Sequence, residues 1–225
     1  MYAPSFVGLA CVVLAAGSQA AVIDISAGDK TIADLLGNSF IVDDKQFDIE
    51  FYASATVFPG ELFIVPVDFG LFGRGFDLLF ELADRPGDFM MTGFTLEYDV
   101  TVIHPDPGYL IVDNILQFNG FAAVDGSIAE VNETVIDGVT GALVGEKTVF
   151  ADGGLPRETW RLEDRLEFDG VRSLNIVKDF LLFAPQQNGV ADASFIRQTF
   201  SQVPSPGTVA LLGIAGVSVV RRRRA

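Results

Sequence analysis

The stretch from Phe94 to Val102 constrains the fold more than any other part of the chain. It reads Phe-Thr-Leu-Glu-Tyr-Asp-Val-Thr-Val. Phe94, Leu96, Tyr98, Val100 and Val102 fall on one side, and Thr95, Glu97, Asp99 and Thr101 on the other. A helix would mix the two sets, whereas a half-buried antiparallel strand keeps them apart. The same period of two runs through Phe76, Leu78, Phe80 and Leu82. It also sets Phe47, Ile49 and Phe51 against Asp48, Glu50 and Tyr52. Further on, Trp160, Leu162, Leu166 and Phe168 face one way, and Arg161, Glu163, Arg165 and Glu167 the other. Asp164 falls on the apolar side of that stretch, which predicts a bulge or a bend.

Other strands follow from position and punctuation. Tyr109 to Phe118 reads as a strand closed by Asn119-Gly120, and Ala193 to Gln202 as the last strand. Leu174 to Ala184 is apolar on both faces, with Lys178 and Asp179 interrupting, as a central strand would be. Asp125-Gly126, Asp137-Gly138, Asp152-Gly153-Gly154 and Asp169-Gly170 supply hairpin-turn chemistry. One short helix is expected at Thr31 to Gly37, capped by Thr31 with Asp34 three residues on. The expected fold is all-β: a two-sheet antiparallel β-sandwich, jelly-roll-like, of about ten strands. A closed barrel is the alternative. An outer-membrane barrel suits the chain less, because most stripes are shorter than the ~10 residues a lipid-facing strand needs.

Charge and residue usage exclude several functions. The formal charge is −15, which repels nucleic acid and anionic lipid. The aromatics are 20 Phe against 4 Tyr and 1 Trp, and Phe packs without a hydrogen-bonding handle. The single cysteine, Cys11, lies in an N-terminal apolar run. The remainder of the chain therefore has no disulfide framework, zinc–thiolate cluster or thiol nucleophile.

Both ends read as targeting segments. Residues 1–20 fit a secretory signal, with Phe6 to Ala16 apolar and Ser18 and Ala20 at the cleavage positions. Residues 203–225 carry Val203-Pro204-Ser205-Pro206, an apolar run from Val209 to Val220, then Arg221, Arg222, Arg223 and Arg224. The run is short of the ~20 residues a spanning helix uses, and the arginines would hold its end at the cytoplasmic face. The two apolar end segments are expected to be helical, flanking a domain at 21–202.

This layout resembles the PEP-CTERM sorting tail, with Ser205 standing where that family has Glu. A second resemblance lies in Thr31-Ile-Ala-Asp-Leu-Leu36 followed by Phe40-Ile-Val-Asp-Asp-Lys-Gln-Phe47, with Asp43 in place of the family's Gly. Val177 to Phe183 and Ser194 to Gln202 are similar to the C-terminal end of the same group of secreted proteins. The resemblance implies a transient inner-membrane anchor cut by an exosortase-type membrane protease. It also implies a place in the cell envelope or extracellular matrix beside exopolysaccharide. It implies no activity, because the family has none established.

Candidate chemistry is sparse. His104, the only histidine, sits in Ile-His-Pro-Asp-Pro-Gly108 and reads as a turn residue, with no partner for a triad or a zinc site. The carboxylates Glu97, Asp99, Glu163 and Glu167 lie on polar strand faces, and no spacing singles out a glycosidase pair. No cofactor is expected. Calcium is the ion that turn carboxylates at Asp106, Asp113, Asp125 and Asp152, with Asn114, would suit, although no Asp-x-Asp-x-Asp-Gly loop is present. Among aromatics that could stack on a sugar, Tyr98 and Trp160 sit on apolar stripes. Tyr52 and Tyr109 are therefore the candidate ligand contacts. Asn132-Glu-Thr134 matches a glycosylation pattern, which would mean little in the bacterium that the resemblance of the tail implies. The expected function is a structural or adhesive, non-catalytic role outside the cytoplasm. A carbohydrate- or calcium-binding module is the second expectation and a glycoside hydrolase-like enzyme the third.

Overall fold

The computed structural model describes residues 21–25, 28, 30–70, 73–84, 90–103 and 108–204. The signal, the apolar end segments and Arg221–Arg224 lie outside the described residues. No described helix is long and apolar enough to cross a membrane.

Thirteen strands are described, more than the ten expected. They are β1 (Val22–Ile23), β2 (Lys30–Thr31), β3 (Ser39–Val42), β4 (Lys45–Ala53), β5 (Phe63–Asp68), β6 (Arg74–Asp84) and β7 (Met91–Val102). After these come β8 (Tyr109–Ala123), β9 (Ile128–Asp137), β10 (Leu143–Asp152), β11 (Glu163–Val171), β12 (Ser173–Phe183) and β13 (Val190–Pro204). They form one sheet in the order β1-β3-β4-β7-β12-β9-β10 and a second in the order β11-β8-β13-β6-β5-β2. The pairing of β1 with β3 is parallel, and the other described pairings are antiparallel. The surplus over ten comes from short pieces such as β1, β2 and β3, which lack a readable period.

The two last strands occupy central places. β12 lies between β7 and β9, and β13 between β6 and β8. Each sheet is therefore completed by a strand from the far end of the chain. The core lies between the sheets, where Leu96, Tyr98 and Val100 of β7 and Ile176 and Phe180 of β12 meet Leu116 of β8 and Ile196 and Phe200 of β13. The alternation read at Phe94–Val102 is observed without interruption. The helix is α1 (Ile32–Leu35), with the Thr31–Asp34 capping box in place and Ile32 and Leu35 buried.

Several turn assignments move. Asn119-Gly120 does not end β8, which continues to Ala123. A Cβ at Gly120 would lie 2.1 Å from the Phe118 ring, so the glycine makes room for packing. The chain turns instead at Val124 and Gly126, both at positive φ. Asp169-Gly170 lies within β11, at the irregularity between Glu167 and Val171. No bulge occurs at Asp164, where the register is continuous. Its carboxylate stays on the apolar side because it accepts from the Thr148 N–H at 3.1 Å and pairs with Arg161 at 3.1 Å.

The bias towards phenylalanine is explained by two ring clusters. Phe47 stacks on Phe40 at 5.0 Å and meets Phe76 edge-on at 5.3 Å, with Tyr98 and Phe200 beyond. Phe94 stacks on Phe180 at 5.0 Å, with Phe80 and Phe118 edge-on to that ring. Phe47 is wholly buried at the centre of the first cluster. Replacing it by alanine should cost ~3–5 kcal/mol, a fall in melting temperature on the order of 10 °C. Thermal denaturation of Phe47→Ala checks this, and a shift of a degree or two would show that the cluster collapses to refill the space.

Candidate functional site

One end of the sandwich carries a cleft of about 590 Å³. Asp43 and Asp44 come from the turn between β3 and β4, Arg74 opens β6, Tyr109 opens β8, and Phe200, Ser201, Gln202 and Pro204 lie at the end of β13. Asp43 holds φ at 53°, a left-handed conformation an aspartate tolerates, and this fits it to the turn position where the resemblance placed glycine. β6 approaches β13 closely because of Gly75: a Cβ there would lie 1.8 Å from the Gln198 carbonyl oxygen.

The charges in the cleft are tied to one another. Arg74 Nε lies 2.9 Å from Asp43 and 3.3 Å from Asp68, and its Nη1 3.3 Å from Asp44. Lys45 is buried and donates to Asp44 Oδ1 at 2.9 Å and to Gln202 Oε1 at 3.2 Å. The Gln202 amide in turn donates to the other oxygen of Asp44. Burial pulls the Lys45 pKa down, opposed by Asp44 beside it. Within the lining two carboxylates, Asp43 and Asp44, balance two cations, Lys45 and Arg74, and Asp68 outside the lining holds Arg74 from behind. Ile103, Tyr109 and Phe200 supply apolar wall. Such a site can hydrogen-bond a neutral polyol, with Asp43 and Arg74 at its half-open rim.

The structure separates the two tyrosines singled out from the sequence. Tyr109 borders the cleft. Tyr52 lies seven residues along β4 from Lys45, roughly 23 Å away at strand rise. It does not stand on the polar face. A register shift between Ile49 and Phe51 sets Tyr52 opposite the buried Leu96. Its ring stacks on Phe94 at 5.9 Å, its hydroxyl donates to the Val57 carbonyl at 2.8 Å, and burial pushes its pKa up to about 12. Tyr98 is fully buried, as its stripe implied. Trp160 packs on the core and donates to the Asp152 carbonyl at 2.8 Å.

Of the calcium candidates, Asp125 and Asp152 meet at Gly154, while Asp113 lies apart from them. Asp113 is buried, accepting from the Ser201 N–H at 2.9 Å and from Arg165 at 2.5 Å. Its neighbour Asn114 enters the core. Asp152 caps the Gly154 N–H at 2.8 Å in the turn, with the Asp125 side chain close to the same glycine. Among the described residues no group of three or more His, Cys, Asp or Glu could hold a metal ion. His104 and Asp106 lie outside the described residues, as do Ser18, Ala20, Ser205 and Pro206. Val203 and Pro204 are the last residues of β13, opposite Leu110 and Tyr109.

A second polar cluster is wholly enclosed between the sheets. Glu133 of β9, Lys147 of β10 and Lys178 of β12 come from one sheet, and Asn114 of β8 and Gln198 of β13 from the other. Glu133 Oε1 meets Lys147 Nζ at 2.8 Å and accepts from Asn114 Nδ2 at 2.8 Å. Lys147 Nζ also donates to the Asn114 main-chain carbonyl at 3.2 Å and touches Asn114 Oδ1. Lys178 Nζ contacts Glu133 Oε2 and donates to Gln198 Oε1 at 2.7 Å, while the Gln198 amide donates to Asn114 Oδ1. Burial pulls both lysines below their ordinary pKa, Lys178 to about 8. Burial alone would raise Glu133, but Lys147 and Lys178 override it and hold its pKa at about 2. In the sequence Lys178 reads as an interruption of an apolar strand. The missed signal was parity: Glu133, Lys147 and Lys178 each sit in step with flanking apolar residues such as Val131 and Val135, Val149, and Ile176 and Phe180.

No protein-family model matches the chain, and no curated protein matches it. Among solved structures, the isomalto-dextranase of Arthrobacter globiformis T6 complexed with panose is 15% identical over 68% of this chain and 23% of its own, at a TM-score of 0.28. The VP2 subviral particle of infectious bursal disease virus is 12% identical over 73% of this chain and 38% of its own, at 0.30. The glycosylation-associated protein complex of Streptococcus agalactiae is 13% identical over 71% and 26%, at 0.28. The chain spans well under half of each of these proteins. Likeness at these TM-scores transfers neither a fold assignment nor an activity.

Because the folded-state pKa of Glu133 is depressed, its contribution to stability is fully present above the ordinary value of 4.5. That contribution is lost as pH falls towards about 2, a few kcal/mol in all. Denaturant midpoints measured from pH 7 to pH 3 should therefore fall below about pH 4.5. An unchanged midpoint at pH 3 would mean that the native cluster does not hold a carboxylate.

Proposed function

We propose that this chain is an exported β-sandwich of jelly-roll type with a structural or adhesive, non-catalytic role in the envelope or extracellular matrix. A secretory signal directs it out, and a C-terminal exosortase-type anchor holds it in the inner membrane until the tail is cut. The observation that best supports a non-catalytic role is the mutual pairing in the cleft. Asp43, Asp44 and Asp68 are committed to Arg74 and Lys45, so none is a lone acid poised over a bound substrate. The winding of the last eight strands supports the sandwich type, with β6-β13-β8-β11 in one sheet and β7-β12-β9-β10 in the other.

The sorting motif begins where the sheet ends, because β13 pairs through Pro204. A cut before Val203 would shorten a central strand, so a released product should retain Pro204. Intact mass on membrane and medium fractions of the native host tests this. A soluble species beginning near Ala21, retaining Pro204 and lacking Arg221–Arg224 is the expected result. A species that stays in the membrane with its arginines would overturn release, and the protein would then act as a tethered surface domain.

A second reading, a carbohydrate-binding module, draws on Tyr109 standing beside Arg74 and Gln202 at the cleft. On that reading Arg74→Ala should weaken retention on the host's neutral exopolysaccharide about tenfold or more, the loss of one charge-assisted hydrogen-bond donor. Equal retention of the variant and the parent would remove the cleft from consideration.

A further inference from the structure

The enclosed cluster holds two amines, one carboxylate and two carboxamides. With both lysines protonated it carries one positive charge too many for a site cut off from water, where an unpaired charge is strongly disfavoured. Neutralising one amine restores the balance and also makes that amine a nucleophile. The contacts select which amine and which carboxamide. Lys147 Nζ touches Asn114 Oδ1, so the amide carbon bonded to that oxygen is within reach. The same Glu133 oxygen, Oε1, meets Lys147 Nζ and Asn114 Nδ2, each at 2.8 Å. Gln198 donates to Asn114 Oδ1, where negative charge would gather during attack. Lys178 lacks this arrangement: it faces Gln198 Oε1, but the Gln198 nitrogen is directed at Asn114 and not at Glu133.

We propose that Lys147 and Asn114 condense within the folded domain to an isopeptide bond, with Glu133 as the acid–base catalyst. Neutral Lys147 Nζ attacks Asn114 Cγ and forms the new C–N bond. Glu133 takes a proton from Nζ and delivers it to Nδ2. The old C–N bond then breaks and ammonia leaves. No oxidant or reductant is needed, and Glu133 ends as it began. Fixed contact between the reactants replaces the activation that an amide otherwise requires. Afterwards Lys178 and Glu133 remain as one cation and one anion, so the cluster is neutral. The bond joins β8 in one sheet to β10 in the other. It would give a cysteine-free domain the covalent tie that a disulfide supplies elsewhere. The inference does not depend on export.

The test is peptide mass spectrometry of the freshly purified full chain, cut with trypsin and with a glutamate-specific protease. Lys147 should resist trypsin, and cleavage at Glu130 or Glu133 should leave the Asn114 and Lys147 peptides joined, lighter by about 17 Da, one ammonia. Glu133→Gln keeps the shape of the site and should give the two peptides separately. Separate peptides of full mass from the parent chain overturn the proposal, whatever the variant does. A 17 Da loss with Lys147 still cleaved also overturns it, because the change would then lie at an Asn-Gly step or between Lys178 and Gln198. Joined peptides in Glu133→Gln would overturn the role given to Glu133.

Discussion

Taking charged groups out of water is the constraint on which this sandwich is arranged. Between its sheets an apolar interior surrounds Glu133, Lys147, Lys178, Asn114 and Gln198, which have one another for partners. The contacts require Asn114 and Gln198 on one sheet to meet three groups on the other. A slip of one residue in β8, β9, β10, β12 or β13 would turn a member of the set out to solvent and strand the rest. The cluster therefore helps to specify the register of five strands, because even a two-residue slip, which would keep the apolar faces inward, would part its members. The apolar clusters supply most of the driving force, and the polar cluster decides which of many apolar packings is native.

The same logic, in milder form, organises the end of the molecule. Lys45 and Asp44 sit in a partly open cleft, with Gln202 closing the ring and Arg74 bridging to Asp43 and Asp68. Water reaches the rim and not the base. The base is thus rigid and self-satisfied, while Arg74 and Asp43 can exchange a partner for a ligand hydroxyl. On the proposed binding-module reading, a surface built in this way would take up neutral groups reversibly.

How much of this could be read from residues depended on period. Long stripes such as Phe94–Val102 gave their strands and faces directly, because an uninterrupted alternation has one solution. Asn119-Gly120 and Asp169-Gly170 misled because glycine serves close packing as well as turning. Tyr52 misled because one irregularity in β4 reverses the face of every later residue, and no residue type announces it. The enclosed cluster left a trace that was not taken up: parity sets Glu133, Lys147 and Lys178 in step with apolar neighbours. Which of them meet could not be read, since that depends on the order of strands within each sheet. The cleft draws on four separate stretches of chain and has no local signature.

The placement of β12 and β13 has a consequence in time. Both are central, and both are made last. A chain delivered from its N-terminus offers β6 to β11 with a gap in the middle of each sheet, so neither sheet can close on itself. Cooperative folding of the described sheets waits for β12 and β13. On the proposed export, late folding would suit passage through a narrow pore. The enclosed reactants would also meet in earnest only once Gln198 arrives to seal them in.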